Sequence, residues 1–333
     1  MLPLLSLIIP TYNRSQFLAA ALESVLNQDF EDYQVIVVDD GSTDETSMLL
    51  SHELNRDSWA GKLCVLRQSN EGPGRARNWA LQQARGEYCA FLDSDDLLFP
   101  WSLSVIAAAI DIGCRPSILI GRDVEFTSLD QFASVPHEPL KISRWKDLYT
   151  YGHTGPTGRL IAQTKAINAA GGFLAKRIVG EDSDLMLRLG ILPNLVTIEC
   201  PPTYGRRVHS GNFSGCHKRW AAGALTVIQR YRDGVFPGGT ERTLELRQLV
   251  ADQVNFYTLF CIRSGARWEG TKLYLKTFGW FACGGHYTYL LVTPLYLVLS
   301  IVWPWGPWAK CRRNWEAAIA RLSAFKAVGK RSN

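Results

Sequence analysis

Short apolar runs alternate with apolar positions at helical spacing through the first hundred residues. Leu4 to Ile9 is an almost unbroken apolar run closed by Pro10, and it reads as a buried first strand. Phe17, Leu18, Ala21, Leu22, Val25 and Leu26 then recur at helical spacing. Gln34 to Val38 reads as a second strand, and Asp44 opens a helical pattern through Met48, Leu49 and Leu50. Leu63 to Leu66 is a third strand, Gly74 to Ala84 a helix, and Tyr88 to Leu92 a fourth strand. This order predicts βαβ units and an α/β fold. A Rossmann-like, mostly parallel central sheet should be flanked by helices, with the loops after the strands gathered along one edge. Beyond Trp101 the alternation weakens, although Ile118–Ile120 and Val124–Phe126 read as strands and Glu181–Leu189 as a helix that opens on acids. Leu244–Arg263 reads as one long helix, so residues 1–240 are expected to form the sheet domain and 241–333 a helical C-terminal region.

Composition narrows this picture. With 47% hydrophobic and 20% charged residues in 333, the chain is globular rather than disordered, and its formal charge is only +5. The eight cysteines lack any CxxC pair or metal-ligand spacing, which fits a reducing compartment. No basic region precedes the first apolar run, so that run is expected to be a strand and not a leader.

Residues 277–309 form an apolar segment with no charge other than the titratable His286. Trp280, Phe281, Tyr287, Tyr289, Trp303, Trp305 and Trp308 gather towards its ends, as in interfacial aromatic belts, and Pro294 predicts a kink. Arg263, Arg267, Lys272 and Lys276 precede the segment. Lys310, Arg312 and Arg313 follow it and open a basic tail whose single acid is Glu316. With both flanks basic, the positive-inside rule selects no single crossing. The expectation is a peripheral, re-entrant or single-span association with the cytoplasmic face of a membrane, such as a bacterial inner membrane. The alternative is a buried helix packed on the rest of the protein.

Candidate chemistry lies at the strand ends. Pro10-Thr11-Tyr12-Asn13-Arg14 follows strand one, and Asp39-Asp40-Gly41-Ser42-Thr43-Asp44 follows strand two. A carboxylate there can accept from a nucleobase N–H or a ribose hydroxyl, although the same residues make a good turn and helix cap. Asn70 to Asn78 places Gly72, Gly74, Arg75 and Arg77 before and within a helix start, which suits an anion but is equally a Pro-started helix. Asp93-Ser94-Asp95-Asp96 sets three acids at the end of an apolar strand. A hard divalent cation, Mn²⁺ or Mg²⁺, relieves their repulsion and recruits substrate phosphates as further ligands. Gly180-Glu181-Asp182-Ser183-Asp184 offers a general base, or acids that oppose a helix dipole. Arg206, His209, Asn212 and Ser214 form a last polar cluster. No base-stacking motif accompanies the basic residues, so a nucleic-acid partner is not expected.

Taken in order, these pieces resemble the inverting family 2 glycosyltransferases of the GT-A fold. The resemblance covers residues 4–215 and includes Pro-Thr-Tyr-Asn-Arg, Val-Val-Asp-Asp-Gly-Ser-Thr-Asp, Asn-x-Gly-x-x-x-Ala-Arg-Asn, Leu-Asp-Ser-Asp-Asp, Gly171-Gly172-Phe173 and Gly180-Glu181-Asp182. It implies that Pro10, Thr11, Tyr12, Asn13, Arg14, Asp40, Gly72, Arg77, Asp93 and Ser94 line the donor nucleotide site. It further implies that Asp95 holds the metal on the diphosphate, with Asp93 supporting and His209 nearby on a closing loop. Asp182 would be the base that deprotonates the acceptor hydroxyl, with Glu181 and Asp184 on the acceptor side. The implied donor is a nucleotide sugar, UDP-linked by default, and the acceptor a sugar or lipid-linked saccharide in cell-surface polysaccharide or glycolipid synthesis. Two rivals stand beside it: a sugar nucleotidyltransferase, whose Gly-rich loop Gly155-Pro156-Thr157-Gly158-Arg159 imitates far too late in the chain, and a non-catalytic nucleotide-sugar-binding protein. The region 122–158, expected to set acceptor choice, matches nothing legible.

Overall fold

The computed structural model describes residues 2–209, 217–283 and 287–302. The strands and helices in chain order are β1 (Leu5–Thr11), α1 (Ser15–Leu26), β2 (Tyr33–Asp39), α2 (Thr46–Leu54), β3 (Leu63–Arg67), α3 (Pro73–Gln83), β4 (Tyr88–Phe91), β5 (Leu97–Leu98), α4 (Ser102–Ile112), β6 (Ile118–Ile120), β7 (Asp123–Phe126), α5 (Leu129–Ala133), β8 (Lys141–Trp145), α6 (Leu148–Tyr151), β9 (Leu160–Gln163), α7 (Thr164–Ala169), α8 (Glu181–Leu189), β10 (Leu195–Cys200), β11 (Tyr204–Arg207), α9 (His217–Arg232), α10 (Thr243–Arg263), α11 (Arg267–Cys283) and α12 (Tyr287–Val302). A 3-10 turn, Thr157–Arg159, leads into β9.

The main sheet has the order β3-β2-β1-β4-β9-β6-β10-β8. Both faces of its first strands are buried, which explains their continuous apolar runs. Leu5, Leu7 and Ile9 of β1 join one core with Val35 and Val37 of β2, while Ile8 joins the other with Ile36 and Val38. Leu18, Ala21, Leu22 and Val25 of α1 seal the first face at i, i+3, i+4, i+7 spacing, and Ala76, Ala80 and Leu81 of α3 seal the second. The sheet is mixed: six of its eight strands run in one direction, and β9 and β8 run against them. Four strand pairings are parallel and three antiparallel, because β9 runs against both β4 and β6, and β8 against β10. β9 is entered from a tight turn and not from a crossover helix, which frees it from the parallel rule.

A second sheet, β5-β11-β7, sits beyond β4. β11 pairs antiparallel with the two-residue β5, Tyr204 opposite Leu98 and Gly205 opposite Leu97. That register folds the chain after β11 back along the acids that precede β5.

The described chain divides into two compact units: residues 1–215 with 235–242, and 216–234 with 243–333. α9 therefore joins α10, α11 and α12 in the helical unit. The uncharged segment is split between the end of α11 and α12. Trp280, Phe281 and Tyr289, expected as interfacial belts, are instead buried within this unit. Tyr289 stacks on Phe281 at 3.6 Å, and its hydroxyl meets Thr277 at 2.9 Å and Thr258 at 3.1 Å. α12 has 16 residues and includes Pro294, and among the described residues no helix is long and apolar enough to cross a membrane. Trp303, Trp305, Trp308 and the basic tail lie outside the described residues, as do His286, Asn212 and Ser214.

Candidate active site

The ends of β1, β2 and β4 lie along one edge, and the loops that follow them are tied together. Asn13 takes a positive φ of 50°, which lets its N–H donate to Ser42 Oγ at 2.9 Å while its side-chain oxygen accepts from Thr43 N at 2.8 Å. Asp40, expected to face a nucleobase, is buried. Its Oδ1 accepts from Gln68 Nε2 at 2.7 Å and Glu71 N at 2.8 Å, and its Oδ2 from Gly72 N at 2.8 Å. The carboxylate thus fixes the loop before α3, and Oδ2 keeps capacity for one more donor. Gly41 must be glycine here, since at φ 76° a Cβ would lie 2.8 Å from Asn70 N. Beside Asp40, the buried oxygens Thr11 Oγ1 and Asn70 Oδ1 have no hydrogen-bond partner among the described residues, although buried polar atoms ordinarily find one. Tyr12 is exposed, while Pro10 and Ser94 are buried.

The acids after β4 separate into different roles. Asp95 Oδ2 lies 2.9 Å from His209 Nε2 and 3.7 Å from Arg14 Nε. The β5–β11 pairing makes this contact across the sequence, and Arg207 N donating to Asp96 Oδ1 at 2.8 Å fixes it further. Phe17 supports the His209 ring at 4.6 Å. Asp96 is buried, and that burial, then the carboxylates of Asp93 and Asp95, push its pKa well up.

Asp93 instead meets Arg77, whose Nη2 donates to Asp93 Oδ1 at 2.7 Å while Nη1 donates to Glu181 Oε1 at 2.9 Å. The guanidinium is buried and lies over the Phe173 ring at 5.3 Å. Arg77, expected at the donor nucleotide site, thus bridges the loops that carry Asp93 and Glu181. Removing one partner of a buried pair such as Arg77–Glu181 costs on the order of 3–5 kcal/mol, because the other charge is left uncompensated. Its neighbour Asn78 clamps Phe173 through both backbone groups, at 2.7 and 2.8 Å. Gly72 serves the same loops: at φ 99° it caps α3, and a Cβ there would strike Arg177 at 2.8 Å.

Asp182 and Glu181 open α8. Asp182 Oδ1 accepts from Ser183 N at 2.7 Å, and Oδ2 from Thr157 Oγ1 at 3.3 Å. Burial, more than any other influence, raises the pKa of Asp182, which makes it a stronger proton acceptor than a solvated aspartate. Burial and then Asp182 push Glu181 up to about 7, against the opposing pull of Arg77. Asp184, expected on the acceptor side, is buried and accepts from Arg188 Nε at 2.9 Å, and Arg188 in turn caps Gly172 O at 2.6 Å. Thr157 stands out in the sequence only as part of the Gly-rich loop Gly155–Arg159 and not as a site residue. It sits in a Gly-Pro-Thr-Gly turn whose composition signals only a loop.

Two contact chains result, Arg14–Asp95–His209 and Asp93–Arg77–Glu181, the second ending beside Asp182. The first offers a cation one carboxylate oxygen and one imidazole nitrogen. Among the described residues no group of three or more His, Cys, Asp or Glu converges, so most ligands would come from substrate and water. Residues 6–171 match the family model described as Glycosyl transferase family 2. The chain belongs to this family. The GalNAc(5)-diNAcBac-PP-undecaprenol beta-1,3-glucosyltransferase of Campylobacter jejuni is 40% identical over 105 residues, 32% of this chain and 34% of that protein. Poly(ribitol-phosphate) beta-N-acetylglucosaminyltransferase TarS of Staphylococcus aureus is 42% identical over 108 residues, 32% of this chain and 18% of TarS. The chain thus spans about a third or less of the length of these curated relatives. In three dimensions, TarS 1–349 in complex with UDP superposes with a TM-score of 0.57 at 21% identity, over 80% of this chain and 82% of that one. Mannosyltransferase PcManGT of Pyrobaculum calidifontis, in complex with GDP-Man and Mn²⁺, gives 0.52 at 19% identity over 91% and 88%. These likenesses establish the GT-A-like α/β fold with its mixed sheet.

Proposed function

We propose that this family 2 glycosyltransferase moves a sugar from a nucleoside-diphosphate sugar to an acceptor hydroxyl with inversion. The observation that carries the reading is that Asp95 pairs with His209 while Asp182 is held by different partners, Ser183 and Thr157, since a carboxylate bound to a cation is a poor base and the two roles need different acids. Asp182 takes the acceptor proton as the hydroxyl oxygen attacks the anomeric carbon, and the bond to the diphosphate oxygen breaks. Asp95 and His209 would hold a divalent cation, Mn²⁺ or Mg²⁺, which when bound neutralises the departing diphosphate. Arg14 adds a positive charge beside Asp95. Thr11, Asn70 and the open position on Asp40 Oδ2 suit a nucleobase and ribose, which present both donors and acceptors. Uridine is the default base, supported by the UDP complex of TarS. Cell-surface glycan synthesis is supported by the polymer and undecaprenol-linked substrates in the relatives' names. A screen of nucleotide sugars with Mn²⁺ tests the reading: consumption should release nucleoside diphosphate. Conversion to nucleoside triphosphate and sugar 1-phosphate only when pyrophosphate is added would instead support a nucleotidyltransferase, and no consumption a binding protein.

The helical unit is proposed to rest on the cytoplasmic face of a membrane. α11 exposes Trp268, Leu275 and Phe278, and α12 exposes Leu291, Leu295 and Val298 at i, i+4, i+7 spacing. Exposed Arg267 and Lys276 lie among the α11 residues, a mixture that suits anionic headgroups over an acyl boundary. The intact protein should therefore sediment with vesicles of phosphatidylglycerol and phosphatidylethanolamine. Leu275→Glu with Leu295→Glu should abolish that sedimentation while nucleotide-sugar consumption stays within about twofold. Wild-type protein that stays in the supernatant would overturn the membrane reading.

A further inference from the structure

We propose that Thr157 is a positioning residue for the base: its hydroxyl holds the Asp182 carboxylate in the orientation that receives the acceptor proton. The inference rests on the reading of Asp182 as that base. Asp182 is gripped at both oxygens from two different elements, Oδ1 by Ser183 N of its own helix and Oδ2 by Thr157 Oγ1 of the 3-10 turn. A single grip from its own helix would leave the carboxylate rotation unrestrained. The second comes from a rigid turn, because Thr157 is only 4% exposed and its neighbours are fixed to the two sheets. Gly121 N donates to Arg159 O at 2.7 Å, and Arg159 Nε donates back to Gly121 O at 2.8 Å. At Gly158 a Cβ would lie 2.8 Å from the Tyr204 ring, so the turn packs against β11 with no room to spare. β9 follows at once and is paired on both sides.

A threonine hydroxyl donates to an ionised carboxylate and so favours the proton-accepting form. The other charges that act on Asp182 are Arg77 from α3, Asp93 from the end of β4 and Glu181 from its own helix. Thr157 is the neutral donor in this set, so its removal changes orientation and basicity without removing a charge.

The test is a series at position 157 in the full chain, assayed for transfer. Thr157→Val keeps the volume and removes the donor. It should lower kcat by about tenfold to a hundredfold, the scale of a hydrogen bond to a charged group, with the donor KM within about twofold. The acid limb of its pH–rate profile should move to higher pH, since losing a donor to the carboxylate raises the pKa of the base. Thr157→Ser should restore both kcat and the limb. If valine prevents folding, Thr157→Ala against Thr157→Ser makes the same comparison, because the two differ in the hydroxyl. An unmoved pH profile, or a serine variant as impaired as the alanine one, overturns the proposal. Asp182→Asn separates the two levels. Full transfer in that variant sinks the base assignment itself, whereas its loss together with an active Thr157→Val sinks only the role of Thr157.

Discussion

Asp182→Asn should cut transfer by roughly two to four orders of magnitude, the usual scale for loss of a positioned general base, and leave donor affinity unchanged. The amide keeps the size of the side chain: its oxygen can still accept from Ser183 N, and its NH2 in place of Oδ2 can donate to Thr157 Oγ1 once that hydroxyl rotates, so the opening of α8 should hold its shape. What it lacks is the capacity to take a proton. Wild-type activity should carry the signature of that group in its pH dependence. The base must be ionised to act, and burial raises its pKa in the folded protein. Activity should therefore be lost on acidification at a pH above the range of an ordinary solvated aspartate. Calorimetric titration with donor and steady-state kinetics together decide the point. Collapsed donor binding with turnover preserved at saturating donor would make Asp182 a binding residue.

The second large effect is expected at Asp95. Asp95→Ala removes one half of the only His–carboxylate contact that joins β11 to the acids after β4 among the described residues of this edge. Transfer should fall by at least about a hundredfold, in line with losing electrostatic stabilisation of the departing group, and the Mn²⁺-dependent part of donor binding should vanish. His209→Ala should follow the same pattern to a smaller degree, since imidazole is the weaker ligand for these hard cations. Full activity of the wild-type chain in excess chelator would contradict the assignment.

How much of this was legible in the sequence depends on length and on range. The first four strands and three helices announce themselves, because both faces of β1 and β2 are buried and the helices repeat at regular spacing. β5 has two residues, and β9 and β11 four each, too short for a periodic signal. β9, with β8, makes the main sheet mixed, and the β5–β11 pairing brings His209 to Asp95, so this contact was accessible only through the ordered resemblance to the family. Charge alone does not show how two side chains are engaged. Arg77 and Asp184 carry the residue types of a phosphate anchor and an acceptor contact, but each is satisfied by a buried partner contributed from elsewhere in the fold or from its own helix. Thr157 failed in the opposite direction, as a neutral residue in a turn-forming tetrapeptide that gains its role only from the approach of α8. The aromatics of α11 and α12 show the same limit: composition marks them as apolar, but only the packing decides which face inward.

The central claim is displacement of a nucleoside diphosphate at the anomeric carbon by a hydroxyl that Asp182 deprotonates. Proton NMR of the reaction mixture tests it most directly, because the coupling of the product's anomeric proton reports configuration while the nucleotide resonances report the leaving group. An α-linked nucleotide sugar should yield a β-linked product together with nucleoside diphosphate in equal amount. An α-linked product, or sugar 1-phosphate formed in place of nucleoside diphosphate, would contradict the account.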